Sequence, residues 1–306
     1  MRNVLTAIGN TPLVELSRIV PKGSARVFVK VEAGNPTGSY KDRMALAMIE
    51  GAERRGELRP GMRVVEYTGG STGSSLAMVC AVKGYEFIPV TSDAIAREKI
   101  ASMRAFGSRP LVLQSESGKI SPQLMERMLA ETRRLAAEAG TFYTDQFNNP
   151  DAPLGYTALA HEVLEQLGAA PSAFCAAVGT GGLIAGVSPV LKEADRNTRI
   201  IALEPAETPF LTTGKGGPHT VDGTGAGFWP AHLTRDVYDE IRTVPEAEAR
   251  AMARRLAREE GIFAGTSSGL NTVAALRLAA ELGADARVVT VAVDSGLKYL
   301  AGDLFA

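Results

Sequence analysis

A chain of 306 residues with 45% hydrophobic and 22% charged residues and a formal net charge of −1 is long enough for two packed lobes. The near-neutral balance excludes a general electrostatic attraction to nucleic acid. No apolar run approaches bilayer-spanning length, and the N-terminal stretch carries no long apolar core or cleavage signal, so the expected location is the cytoplasm, away from membranes.

Strands and helices alternate along the chain. Residues 26–31 read as a strand, followed by the turn Asn35-Pro36-Thr37-Gly38-Ser39-Tyr40-Lys41-Asp42-Arg43 and a helical run over 44–50. Ser39 is the expected N-cap, which puts Lys41 in the first turn. Backbone N–H groups and the helix dipole favour anionic ligands there, and an amine in that place is a candidate Schiff-base nucleophile. The same residues also read as an ordinary surface lysine at a mixed-charge helix start.

A strand over 63–67 leads into the turn Thr68-Gly69-Gly70-Ser71-Thr72-Gly73-Ser74 and a helix over 75–82. A strand over 87–91, a helix over 97–104 and a strand over 110–113 follow, and residues 143–150 hold few helix formers and read as a crossover. The order then repeats: strand 173–178, helix 183–192, strand 199–203, a Gly-rich loop over 212–230, helix 247–259, helix 270–281 and strand 287–293. Continuous apolar strands between helices predict an α/β fold with largely parallel sheets covered on both faces. Two such runs predict two lobes, a larger one of residues 1–38 plus 147–306 and a smaller, mobile one of residues 39–146, each an open, mostly parallel twisted sheet covered by helices.

Gly-rich turns after the strands stand where parallel sheets bind ligands. In residues 67–74, consecutive small residues with the hydroxyls of Ser71 and Thr72 suit a carboxylate at a helix N-terminus, although a tight strand-to-helix turn needs the same residues. Val178-Gly179-Thr180-Gly181-Gly182-Leu183-Ile184-Ala185-Gly186 fails the dinucleotide spacing because Ile184 takes the place of the third glycine, and no Gly-Lys-Ser/Thr ending follows. Its N–H groups and the Thr180 hydroxyl still suit one phosphate ester. Gly265-Thr266-Ser267-Ser268-Gly269 offers a hydroxyl that can face a neutral ring nitrogen. Cys80 and Cys175 lie in apolar runs, and His161, His219 and His232 lack metal-ligand spacing, so no metal is expected. A phosphate loop, a lysine, a carboxylate turn and a hydroxyl turn together match pyridoxal 5'-phosphate and an amino-acid substrate.

With these motifs the chain resembles the cysteine synthase (O-acetylserine sulfhydrylase) and cystathionine β-synthase family of pyridoxal-phosphate enzymes, of the tryptophan-synthase-β fold type. The resemblance runs from Ile8-Gly9-Asn10-Thr11-Pro12-Leu13-Val14 through the lysine turn, Gln146-Phe147-Asn148-Asn149-Pro150, the Gly179 loop and Gly223-Thr224-Gly225-Ala226-Gly227-Phe228 to the Gly265 turn, in the family's order. It implies that the cofactor lies in the cleft between the lobes and that Lys41 forms the internal aldimine and later moves the α-proton. Gly179, Thr180, Gly181, Gly182 and Leu183 would hold the phosphate, Ser267 would face the ring nitrogen, and Ser71 would stand near the phenolic oxygen. Thr68, Gly69, Ser71, Thr72, Gln146 and Gly223 would line the substrate site. The implied reaction is β-replacement on O-acetylserine or O-phosphoserine with sulfide or a related nucleophile, through an aminoacrylate, in a homodimer. The alternatives are a serine/threonine dehydratase, a cysteine β-lyase or a cystathionine β-synthase. Gly69 and Ser71 replace the family's serine and asparagine, and Asp222 stands where many members carry glutamine. These departures bear on the donor and the nucleophile.

Overall fold

The computed structural model describes residues 3–116, 118 and 122–306. The short strand β1 (Leu13–Glu15) runs antiparallel to β2 (Arg26–Val31). Next come α1 (Lys41–Arg55), β3 (Arg63–Tyr67), α2 (Ser71–Lys83), β4 (Glu86–Ser92), α3 (Arg97–Ala105), β5 (Leu111–Leu113), α4 (Pro122–Ala136), β6 (Thr141–Tyr143) and α5 (Asp151–Leu154). The remainder is α6 (Thr157–Leu167), β7 (Ala173–Ala177), α7 (Gly182–Ala194), β8 (Arg199–Pro205), α8 (Phe210–Thr213), β9 (Glu240–Val244), α9 (Glu246–Arg255), α10 (Thr266–Leu282) and β10 (Arg287–Ala292).

Two compact units result, Met1–Ile8 with Lys41–Gly155, and Gly9–Tyr40 with Tyr156–Ala306. The first is built on a four-stranded sheet in the order β5-β4-β3-β6, all parallel. Val65 and Val90 on one face of that sheet pack against Leu124, Met128 and Leu135 of α4. The second is built on a six-stranded sheet in the order β1-β2-β10-β7-β8-β9, parallel except for the β1–β2 pair. Every residue of β7 is buried, as a central parallel strand requires. Val27, Cys175, Ile201 and Val288 from its strands share a core with Leu270, Ala274 and Leu278 of α10. The α/β class with mostly parallel, helix-covered sheets read from the sequence is the observed one.

Each sheet reverses its strand order once. In the first unit the chain steps outward through β3, β4 and β5, then returns to place β6 on the other side of β3. In the second it steps through β7, β8 and β9 and returns to place β10 on the other side of β7. Loops leaving the two neighbouring strands at such a reversal diverge, which opens a crevice at the carboxyl ends of the strands.

Helix starts differ from the sequence reading. Lys41 is itself the first residue of α1, so the cap position falls on Tyr40, and Ser39 instead forms a backbone bridge with Asp294. Both α2 and α10 begin four residues early, at Ser71 and Thr266, which turns the small-residue stretches into first helical turns. Among the described residues no helix is long and apolar enough to cross a membrane.

Candidate active site

In the first unit the loop after β3 and the segment after β6 leave the sheet on either side of its switch point. Within the loop, the Thr68 hydroxyl oxygen accepts from the N–H groups of Gly70 at 3.3 Å and Gly73 at 3.2 Å. This folds the loop onto the N-terminus of α2, whose dipole points positive charge at it. The Thr72 hydroxyl donates to the Gln146 side-chain oxygen at 2.8 Å, and the Gln146 amide nitrogen donates to the Tyr67 carbonyl at 3.3 Å. The structure therefore brings Thr68, Gly69, Ser71, Thr72 and Gln146 together as one cluster. A Cβ at Gly69 would fall 2.4 Å from the Cδ1 of Ile95, so Ile95 fills the place a side chain would take. A Cβ at Gly73 would fall 2.7 Å from the Thr68 methyl group. Lys41 belongs to the same unit, where it opens α1 and is buried at 8% exposure, which removes the surface-lysine reading.

In the second unit β7 and β10 flank the switch point. Beyond β7, Gly181 stands at the N-cap of α7 with φ of 80°, in the left-handed region that a glycine adopts without strain. The Gly182 N–H donates to the Thr180 hydroxyl oxygen at 3.4 Å, and residues 180–183 are buried. α7 runs 13 residues from this turn, so its N-terminal N–H groups and dipole point positive charge at the loop. Gly223 lies against this loop: a Cβ at Gly179 would come within 2.3 Å of the Gly223 carbonyl oxygen. The Gly225 N–H donates to the Val178 carbonyl at 3.3 Å. A small hollow beside Gly179 is walled by Phe210, Leu211, Phe228 and Pro230.

Beyond β10, the Val293 carbonyl accepts from the N–H of Tyr40, the residue before Lys41, at 2.9 Å. The Val293 N–H donates to the Ser268 hydroxyl oxygen at 3.0 Å. These two bonds tie Tyr40 to the first turn of α10, whose second residue is the buried Ser267. At Gly265, the N-cap of α10, a Cβ would meet the Tyr299 ring at 2.3 Å. Burial, followed by the nearby charges of Asp294 and Asp222, raises the Tyr299 phenol well above its ordinary value. Asp222, singled out in the sequence, is exposed and close enough for its charge to be felt there.

Two supporting residues escape the sequence reading. Asn271 of α10 accepts from the Ala177 N–H at 2.7 Å and donates to the Val291 carbonyl at 2.8 Å, which pins the ends of β7 and β10 just before the Gly179 loop. Its signal was a polar residue inside an apolar helical run. Glu66, fully buried on β3, accepts at Oε2 from the Thr144 hydroxyl at 2.6 Å and from the Gln146 N–H at 3.0 Å. Burial without a neighbouring cation pushes the Glu66 carboxyl up to about 8. The two buried cysteines hold thiols pushed up to about 12 by burial, which makes them inert fillers.

Residues 4–294 match the family described as pyridoxal-phosphate dependent enzyme. The chain belongs to that family. A cysteine synthase of Staphylococcus aureus is 43% identical over 305 residues, which cover 99% of this chain and 96% of that protein. The crystal structure of a cysteine synthase from Entamoeba histolytica superposes with a TM-score of 0.94 at 33% identity, covering 100% of this chain and 90% of that one. A hydrogen sulfide-producing enzyme from Fusobacterium nucleatum superposes with a TM-score of 0.91 at 35% identity, covering 98% of each chain. As a pyridoxal-phosphate dependent enzyme the protein uses pyridoxal 5'-phosphate, and the residues present fit that group. At Gly179 and Gly181 a Cβ would press on the Gly223 carbonyl and on Leu233, so glycine lets this loop pack closely at the N-terminus of α7, where N–H groups and the helix dipole suit a phosphate. The buried lysine supplies an amine, and the first turn of α10 supplies a hydroxyl.

Proposed function

We propose that this enzyme carries out β-replacement on an O-activated L-serine, O-acetylserine or O-phosphoserine, with sulfide or a related nucleophile, and forms L-cysteine or a β-substituted alanine. The observation that carries this reading is the clasp between the helix-start loop at 68–73 and Gln146, which suits an amino-acid carboxylate, in a chain whose lysine is buried at a helix start. The names of the Staphylococcus and Entamoeba relatives support it.

The cofactor, when bound, supplies an electron sink for bonds at the substrate Cα. Lys41 would hold its aldehyde through Nζ and, when free, would take the Cα proton and return it after the nucleophile has joined Cβ. The leaving group departs from Cβ with its bonding electrons. The N–H groups of residues 179–183 and the Thr180 hydroxyl would hold the phosphate, and Ser71 would serve the phenolic oxygen. Thr68, Gly69, Ser71, Thr72, Gln146 and Gly223 bind and orient the amino acid, which fixes the Cα–H bond for Lys41. Ser267 presents a neutral hydroxyl to the ring nitrogen, which favours loss of the β-group over proton return and transamination. With Gly69 in place of a serine and Ile95 filling that space, this side of the carboxylate site is apolar. The protein acts as a cytoplasmic homodimer, and light scattering of the purified protein tests the dimer.

The purified protein is expected to be yellow, with a band at the violet edge of the visible spectrum that Lys41→Ala abolishes along with turnover. O-acetylserine, O-phosphoserine, serine, threonine and cysteine are then added in turn, and the band is followed. O-acetylserine or O-phosphoserine should shift it, and sulfide should restore it with release of cysteine. A colourless protein that cannot take up the cofactor sinks the proposal. Rapid keto-acid release without sulfide replaces it with a lyase.

A further inference from the structure

Asp145 has φ of 44°, in the left-handed region that costs a residue with a side chain some strain, though Asp bears it better than most. This kink ends β6 and turns the chain so that Gln146 meets Thr72. The residues on both sides of the kink are tied to one atom: Glu66 Oε2 accepts from the Thr144 hydroxyl and from the Gln146 N–H. Asn149 supports the same turn, with its side-chain nitrogen donating to the Thr144 carbonyl at 2.8 Å. Val65 and Tyr67 pack with α4, so Glu66 between them faces the opposite side of the sheet. There it is fully buried, and its Oε1 has no hydrogen-bond partner among the described residues.

A buried carboxyl with one oxygen doubly engaged and no cation beside it is an expensive way to fill space. An apolar side chain on β3 would fill the volume and would leave Gln146 free to swing. We propose that Glu66 is a positioning residue for the substrate carboxylate site: it clamps the left-handed turn at Asp145 and thereby fixes the Gln146 amide against Thr72. The proposal rests on the reading of Gln146 as a substrate-binding residue. In it Glu66 touches neither substrate nor cofactor and acts through Gln146 alone.

The test compares Glu66→Met, which keeps the volume and removes the acceptor, with Glu66→Gln, which keeps an acceptor oxygen. Steady-state kinetics with O-acetylserine and sulfide should show Glu66→Met raising KM for the amino acid about tenfold, as for the loss of one or two hydrogen bonds, with kcat within a few-fold of wild type. Glu66→Gln should bring KM back to within about threefold of wild type. Independently, hydrogen exchange of the Gln146 backbone amide in the cofactor-free protein should quicken at least about tenfold in Glu66→Met and stay near wild type in Glu66→Gln. An unchanged KM and unchanged amide exchange in Glu66→Met would overturn the proposal, as would a Glu66→Gln protein as impaired as Glu66→Met. If neither wild type nor variants develop the cofactor band, the proposed function is what fails, and the amide exchange still decides whether Glu66 clamps the turn.

Discussion

A carboxyl group sealed from water with no cation against it keeps its proton far above the range where an exposed one gives it up. Glu66 is such a group, at about 8 in the folded protein against an ordinary 4.5, with the neighbouring Asp145 charge adding to the effect of burial. The sign of its effect on stability follows. Between about pH 4.5 and 8 the folded state holds a proton that the unfolded state has released. Its contribution is therefore complete below the unfolded value and is lost as pH rises to about 8, at up to ~1.4 kcal/mol per pH unit. The charges reaching its surroundings are Asp145 beyond β6 and Arg133 of α4, the latter felt by Tyr67 and Tyr143. Urea unfolding across pH 5 to 9 should show wild type losing stability relative to Glu66→Gln as pH rises. Parallel curves would show that Glu66 is ionised in the folded state throughout. At this scale the sequence was readable where a residue is odd for its place, as Lys41 is in its Gly-Pro turn. Glu66 was not, because Arg63-Val64-Val65-Glu66-Tyr67 leaves open which face of the strand is dry.

Legibility did not simply follow length: α4, α6 and β9, of 15, 11 and 5 residues, were not read as elements from the sequence. Strands β1, β5 and β6 have three residues each, too few for alternation to register, and only β5 was read. The early starts of α2 and α10 have another cause: Ser, Thr and Gly form helix poorly on their own, and tertiary bonds such as Thr72 to Gln146 and Val293 to Ser268 hold those first turns. The helix that carries Lys41 is fixed by close approach to α5. A Cβ at Gly155, the C-cap of α5, would fall 2.5 Å from the Arg43 carbonyl oxygen and 2.9 Å from the Met44 Cα. At Gly51 the nearest atoms it would meet are those of the Asp151 carboxylate, at 2.0 Å, which Arg55 holds at 2.7 Å. A side chain can swing away and a backbone cannot. In Gly51→Ala the ~1 kcal/mol gained in helix propensity partly offsets the displaced carboxylate. Gly155→Ala should therefore cost ~3 kcal/mol, against ~1 kcal/mol for Gly51→Ala, in denaturant unfolding. Equal losses would mean that α1 and α5 can slide apart.

For the molecule as a whole, repeated strand–turn–helix units made the parallel α/β class readable, because buried parallel strands are apolar throughout. Strand order was not, since β2 and β10 pair along their length across most of the chain and no local pattern records that pairing. The switch points follow from strand order, so the sequence could single out the Gly-rich loops without showing that they stand at the switch points. Those loops should bind the cofactor in the folded state only, and such binding adds ~2.7 kcal/mol to stability at a hundredfold excess over Kd. For a chain of this length that corresponds to a Tm increment of roughly 4 °C between cofactor-free and loaded protein in calorimetry. Gly179→Ala separates the phosphate loop from the rest. Its Cβ would press on the Gly223 carbonyl oxygen at 2.3 Å, so the loop must open to relieve it. The cofactor-free variant is lowered only by that local strain, whereas most of the increment should vanish because the N–H groups at the start of α7 no longer converge. The increment, more than the absolute Tm, is therefore the informative quantity. An increment equal to that of wild type would remove Gly179 from the phosphate site.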